Sequence, residues 1–162
     1  MAMTMETVGL DQLGRMLAQL GDKAQEIASG ALYEGAGITA NAMSAGIQSI
    51  QTEPFKYATD RQMRLASPQE KAALERKIGI AKFRKNGSEV NTIIGISRAS
   101  GYTQIAGKKK AVLVIARSIN SGTSFMHKQP VFRQAVSRNR KAALDKIVDT
   151  AEKRINEIIN GK

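Results

Sequence analysis

The hydrophobic period of this chain changes twice, and those changes constrain its fold more than any single motif. Over residues 10–50 small or apolar side chains recur at helical spacing; over residues 78–119 β-branched residues cluster between turn signals; over residues 130–159 helical spacing returns. A helix, a short helix, strands and a final helix predict an α+β fold. Its long N-terminal helix and C-terminal helix are expected to pack on a small antiparallel sheet of about three to four strands. The 162 residues fit a single domain, 1–162.

The first helix reads as two pieces. Leu13, Met16, Leu17 and Leu20 share one face of the first piece, Gly21-Asp22 breaks it, and Asp22 is placed to cap the second. In the second piece Ala24, Ala31, Ile38 and Ala45 form one row, and Ala28, Gly35, Ala42 and Ser49 the next. So small a face permits close approach to another element. Each interior glycine costs about 1 kcal/mol relative to alanine, so burial must hold this helix together. Residues 51–66 read as a connection. Ser67-Pro68-Gln69-Glu70 is a strong helix start, with Ser67 as N-cap, Pro68 at the first helical position and Glu70 closing a capping box. That helix should end near Lys77. Residues 78–97 then predict a hairpin with a type I′ turn at Asn86-Gly87. Residues 98–110 read as a long loop, expected to be mobile. Residues 111–119, with the run Val112-Leu113-Val114-Ile115, read as the best strand in the chain, ended by Gly122. The final helix carries Leu144, Val148, Ala151, Ile155 and Ile158 at helical spacing, with Ile147 beside them.

Little in the sequence suggests catalysis. There is no cysteine and one histidine, His127, so thiolate or multi-histidine metal sites and Cys–His catalysis are ruled out. Gly35-Ala36-Gly37-Ile38-Thr39-Ala40 matches a dinucleotide fingerprint, but the residues before it are helical in pattern, where that fingerprint needs a strand. Close helix packing is the simpler reading. Asp145, Asp149 and Glu152 are spaced for i,i+4 ion pairs with Lys141, Lys146 and Lys153. No run of about 18 apolar residues occurs, so no membrane span is expected. The chain is therefore expected to be no enzyme and to need no cofactor or metal.

The formal charge is +11, unevenly spread. Residues 1–50 hold two basic and five acidic side chains, residues 51–110 thirteen and five, residues 111–162 ten and four. Such a surface favours a polyanion or an acidic protein. Lys108, Lys109 and Lys110 form the densest run. They read as a solvated tip or as a contact for DNA or a protein partner; Tyr102 is the one aromatic nearby in sequence.

Two stretches carry a family resemblance. One is Ala116-Arg117-Ser118-Ile119-Asn120-Ser121-Gly122-Thr123-Ser124, followed by Gln129-Pro130-Val131-Phe132-Arg133-Gln134-Ala135. The other is the opening Gly9-Leu10-Asp11-Gln12-Leu13, which leads into an alanine-rich helix. Together they resemble the tail-completion, or head–tail joining, proteins of long-tailed phages. In those proteins a strand often ends in Gly-Thr, a Pro-aromatic-x-x-Ala helix start follows, and a long C-terminal helix closes the chain. The matching residues here are Gly122, Thr123, Pro130, Phe132 and Ala135. Physically, Gly122 permits φ > 0, Thr123 can bond local backbone, Pro130 can open a helix, and Phe132 with Ala135 can anchor it. The resemblance implies a structural virion protein of the tail or neck, present in the host cytoplasm during assembly. It would form a ring, sixfold by resemblance, around the DNA channel. Its partners would be itself, the tail tube protein and a head connector or stopper protein, with possible non-specific contact to channel DNA and none to a membrane. The alternative is a basic, non-enzymatic nucleic-acid-binding module.

Overall fold

A computed structural model describes residues 21–57, 62–87 and 89–159. The expected helical piece carrying Leu13, Met16, Leu17 and Leu20, and the Gly-Leu opening, lie outside the described residues. The fold is α+β. After a 3₁₀ turn at Gly21–Lys23 come α1 (Ala24–Gln48), α2 (Pro68–Lys77), β1 (Gly79–Ile80), β2 (Arg84–Asn86), β3 (Glu89–Asn91) and β4 (Ile94–Gly95). A 3₁₀ turn at Arg98–Ser100 precedes β5 (Tyr102–Ile105), β6 (Lys108–Ala111), α3 (Val112–Ser121) and α4 (Val131–Ile159). The N-cap of α1 falls on Lys23, which makes no side-chain cap bond, and not on Asp22.

Helix α1 stays continuous through four glycines because one of its faces is buried. Ile27, Ala31, Gly35, Ala36, Thr39, Met43 and Ile47 line that face. It runs antiparallel to α4. A Cβ on Gly35 would lie 2.3 Å from Ile147 Cγ1 and 2.7 Å from the Ala143 carbonyl oxygen, so only glycine lets the backbones come this close. Gly37, two residues on, has nothing within 4 Å of the same position. The G-x-G element is therefore helix packing in the middle of α1, with no strand before it.

Helix α2 begins as the local sequence dictates. Ser67 Oγ accepts from the Glu70 N–H at 3.2 Å, and Glu70 Oε2 accepts from the Ser67 N–H at 2.9 Å. The strands divide into three two-stranded antiparallel ribbons, β1–β4, β2–β3 and β5–β6. The first two form one hairpin. Gly79 pairs with Gly95 and Arg84 with Asn91, so residues 81–83 face residues 92–93 and the extra residue bulges. Thr92 Oγ1 donates to the Ala81 carbonyl there, at 2.7 Å. The turn is one residue later than expected, since Asn86 pairs with Glu89 and Gly87, not Asn86, takes a positive φ, +59°.

Two expectations are overturned between residues 98 and 121. The long loop contains a tight hairpin in which Ile105 pairs with Lys108. Its two turn residues, Ala106 (φ +50°) and Gly107 (φ +75°), have the two positive φ values of a type I′ turn. The expected strand 111–119 is helix α3. Val112, Ile115, Ala116, Ile119 and Asn120 are its buried residues, an i, i+3, i+4, i+7, i+8 pattern, while Val114 is exposed. The β-branched run favoured a strand by propensity; helical burial of one face overrode it.

The core has two parts. The larger gathers residues from α1, α2, α3, the first turns of α4 and the ribbons, including Met43, Ile47, Leu74, Ile94, Ile105, Val112, Ile119 and Phe132. The smaller belongs to α1 and α4 alone: Ile27, Ala31, Ile147, Ala151 and Ile155.

Candidate functional site

The residues that carried the resemblance meet in one corner, where α3 turns into α4. Gly122 ends α3, with φ +74° and its N–H donating to the Ser118 carbonyl at 2.9 Å. The Gly-Thr pair thus closes a helix, not the expected strand. A Cβ on Gly122 would stand 3.0 Å from Lys128 Cβ. Thr123 Oγ1 accepts from the Phe125 N–H at 3.1 Å, and the Thr123 N–H donates to the Met126 carbonyl at 3.0 Å. Pro130 stands just before the first residue of α4, and its carbonyl accepts from the Gln134 N–H at 3.1 Å. Phe132 and Ala135 are both buried in the larger core. Sequence reasoning missed the cap. Asn120, buried on α3, accepts through Oδ1 from the Phe132 N–H at 3.2 Å and stands 3.5 Å from the Arg133 N–H. A side chain from one helix thereby satisfies the opening donors of the next. Gln129 ties the corner to residue 51, exchanging two bonds with the Gln51 backbone at 2.8 and 3.0 Å.

The lysine run leads out of the hairpin turn along β6, with Lys108 and Lys109 exposed and Lys110 half-buried. On strand β6 successive side chains point to opposite faces, so Lys108 and Lys110 share one face, over the neighbouring rings of Tyr57 and Phe55, and Lys109 points to the other. Lys110 Nζ lies 3.6 Å from Glu70 Oε1 and 5.0 Å from the centre of the Phe55 ring. Lys108 lies over Tyr57 at 5.4 Å and Lys109 over Tyr102 at 4.8 Å. Phe55 and Tyr57 come from the connection, which sequence spacing could not bring to the hairpin. Glu70 is the centre of this region. Arg64 grips its carboxylate with two bonds of 2.7 Å, and both side chains are buried. Burial pushes the Glu70 carboxyl upward, but the bonds from Arg64 and the Ser67 N–H, with the charges of Arg64 and Lys110, hold it below its ordinary value. The nearby Glu53 carboxyl is also held low, first by the Leu65 N–H and then by Lys56.

Unbalanced charge lies elsewhere. Residues 90–144 contain ten lysines and arginines and not one aspartate or glutamate. This acid-free window, a signal present in the sequence, ends in the first half of α4. There Arg133, Arg138, Arg140 and Lys141 are all exposed. Beyond residue 144 the same helix carries mixed charge, with Asp145, Asp149 and Glu152 exposed. The expected i,i+4 ion pairs are not made: among the described residues no ion pair within 4.0 Å falls on α4. His127 is exposed, and its backbone N–H donates to the Arg64 carbonyl at 3.0 Å. Among the described residues no group of three acidic or histidine side chains is placed to hold a metal. No helix among them is long and apolar enough to cross a membrane. Compared with protein-family models, with characterised proteins and with solved structures, the chain matches none.

Proposed function

We propose that this chain is a structural virion protein of a long-tailed phage, one that completes the tail and joins it to the head connector as a ring around the DNA channel. The observation that carries the reading is the corner from Asn120 to Ala135. The five residues of the resemblance, Gly122, Thr123, Pro130, Phe132 and Ala135, serve one mechanical purpose there: they stop α3, turn the chain and fix the start of the long helix α4. A helix anchored so firmly at one end is a stiff element on which a subunit contact can be built. The contact itself is a head-to-tail interface that closes on itself.

Light scattering after size exclusion tests the reading, together with electron microscopy of the protein alone and mixed with tail tubes. Ring-shaped particles at the tube end are the expected result. A strict monomer in every one of those settings overturns it. The nucleic-acid-binding module is the second reading, favoured by the acid-free window; it predicts a monomer or dimer that binds DNA and never caps a tube.

A further inference from the structure

We propose that the first half of α4 is a binding face for the phosphate backbone of duplex DNA, and that the lysine hairpin is not. Arg133, Ser137 and Lys141 form one i, i+4, i+8 row, with Arg138 and Arg140 flanking it. The row spans about 12 Å of helix, comparable to the width of a DNA major groove. Across residues 133–142 the exposed positions are Arg133, Gln134, Ser137, Arg138, Arg140, Lys141 and Ala142, with no acid among them. The part of α1 packed against this half, residues 35–48, has no charged side chain at all. Arg117 of α3, also exposed, lines a small cavity with the buried Phe132 and is not counted in this face.

The hairpin is a weaker candidate by its own geometry. Lys110 is already engaged by Glu70, Lys108 and Lys109 rest on aromatic rings, and strand alternation splits the run. Phosphate is favoured over a base edge because the α4 face offers cations without aromatic platforms, and such a face reads charge and not sequence. In the ring reading this is the surface turned towards the channel; that placement rests on the reading, whereas the DNA contact does not.

Fluorescence anisotropy with a labelled duplex of arbitrary sequence tests the assignment on the full chain. With about four phosphates engaged, the slope of log K against log salt should be near −3.6, a loss of roughly 10²-fold between ~50 and ~200 mM. The triple variant Arg133→Gln, Arg140→Gln, Lys141→Gln should flatten that slope by about 2.7. Ser137→Glu keeps every cation and sets one carboxylate in the row; it should weaken binding at least tenfold at low salt. A variant with Lys108→Ser and Lys109→Ser should bind as wild type does. No binding by wild type at low salt overturns the proposal, as does a slope unchanged in the triple variant or lost in the hairpin variant. Equal affinity for polyglutamate would assign the face to an acidic protein and also overturn it. Light scattering on the same samples keeps the readings apart: a ring that ignores DNA sinks this inference alone, and a strict monomer that binds DNA through α4 sinks the ring alone.

Discussion

The two parts of the core are held by different means. The smaller is regular: two helices, α1 and α4, meet through Ile27, Ala31, Ile147, Ala151 and Ile155, and Gly35 at its edge sets their spacing. The larger must seat irregular segments, residues 51–57, 62–67 and 122–130, which are joined by isolated backbone bridges such as Arg64 with Met126 and not by a continuous helix or sheet. There buried polar side chains add to those bridges. Glu70 and Arg64 bind the connection to α2, and Asn120 binds the corner to α4. Where backbone geometry is regular, the fit of small residues is enough; where it is not, specific hydrogen bonds must replace it.

The sharpest way to break this contrast is Glu70→Ala. It leaves the Arg64 guanidinium buried without its partner and should cost about 3–5 kcal/mol, read from the urea midpoint. A loss no larger than that of an exposed substitution would show that the larger core does not depend on the ion pair. The pair also sets a pH dependence. The folded-state pKa of Glu70 lies below the ordinary 4.5, so in that range the unfolded chain binds more protons. The contribution is present at neutral pH and is lost as pH falls below about 4.5 through the folded value. Glu70→Gln should remove that part of the acid sensitivity.

Gly35→Val tests the smaller core. Its side chain would enter the space of Ile147 and the Ala143 carbonyl, and overpacking of this kind should cost about 2–3 kcal/mol. Gly37→Ala on the open side of the same helix should instead raise stability, by up to about 1 kcal/mol. If the two behave alike in thermal melts, close approach is not what holds α1 to α4.

A smaller loss, about 1–3 kcal/mol, is expected for Gly122→Val, which forces a β-branched residue to a positive φ against Lys128. Wild-type melting and assembly would remove the corner from the list of structural necessities. Smallest is the difference between two lysines. Lys110→Ser should lower the melting point slightly through its contact with Glu70, and Lys109→Ser should leave it unchanged within error. The view of the run as one solvated tip predicts no difference.

Local chemistry was sufficient for several elements. Ser67-Pro68-Gln69-Glu70 names its own capping box, because each bond in it spans only three residues. The small-residue rows of α1 announced a close helix contact, and the spacing of Leu144 to Ile158 announced the final helix, although its buried face is Ala143, Ile147, Ala151 and Ile155 while Val148 and Ile158 are exposed. Gly122 needed only its place between apolar segments to suggest a positive φ. Other features were legible but passed over: Val112, Ile115, Ala116 and Ile119 already had helical spacing within a run whose composition favoured a strand.

What the sequence determined by itself, then, were features whose partners lie within about one turn of chain, such as the Ser67–Glu70 capping box and the Gly122 stop. Tertiary structure alone decided the rest. It chose Arg64 as the partner of a carboxylate already committed to a capping box, and it set Phe55 and Tyr57 under lysines some fifty residues away. It also made Asn120 the cap of a helix that begins eleven residues later. The physical reason is common to all three. A buried charge or an orphaned N–H must find a partner within about 3 Å, and which groups come that close is settled only when the whole chain packs.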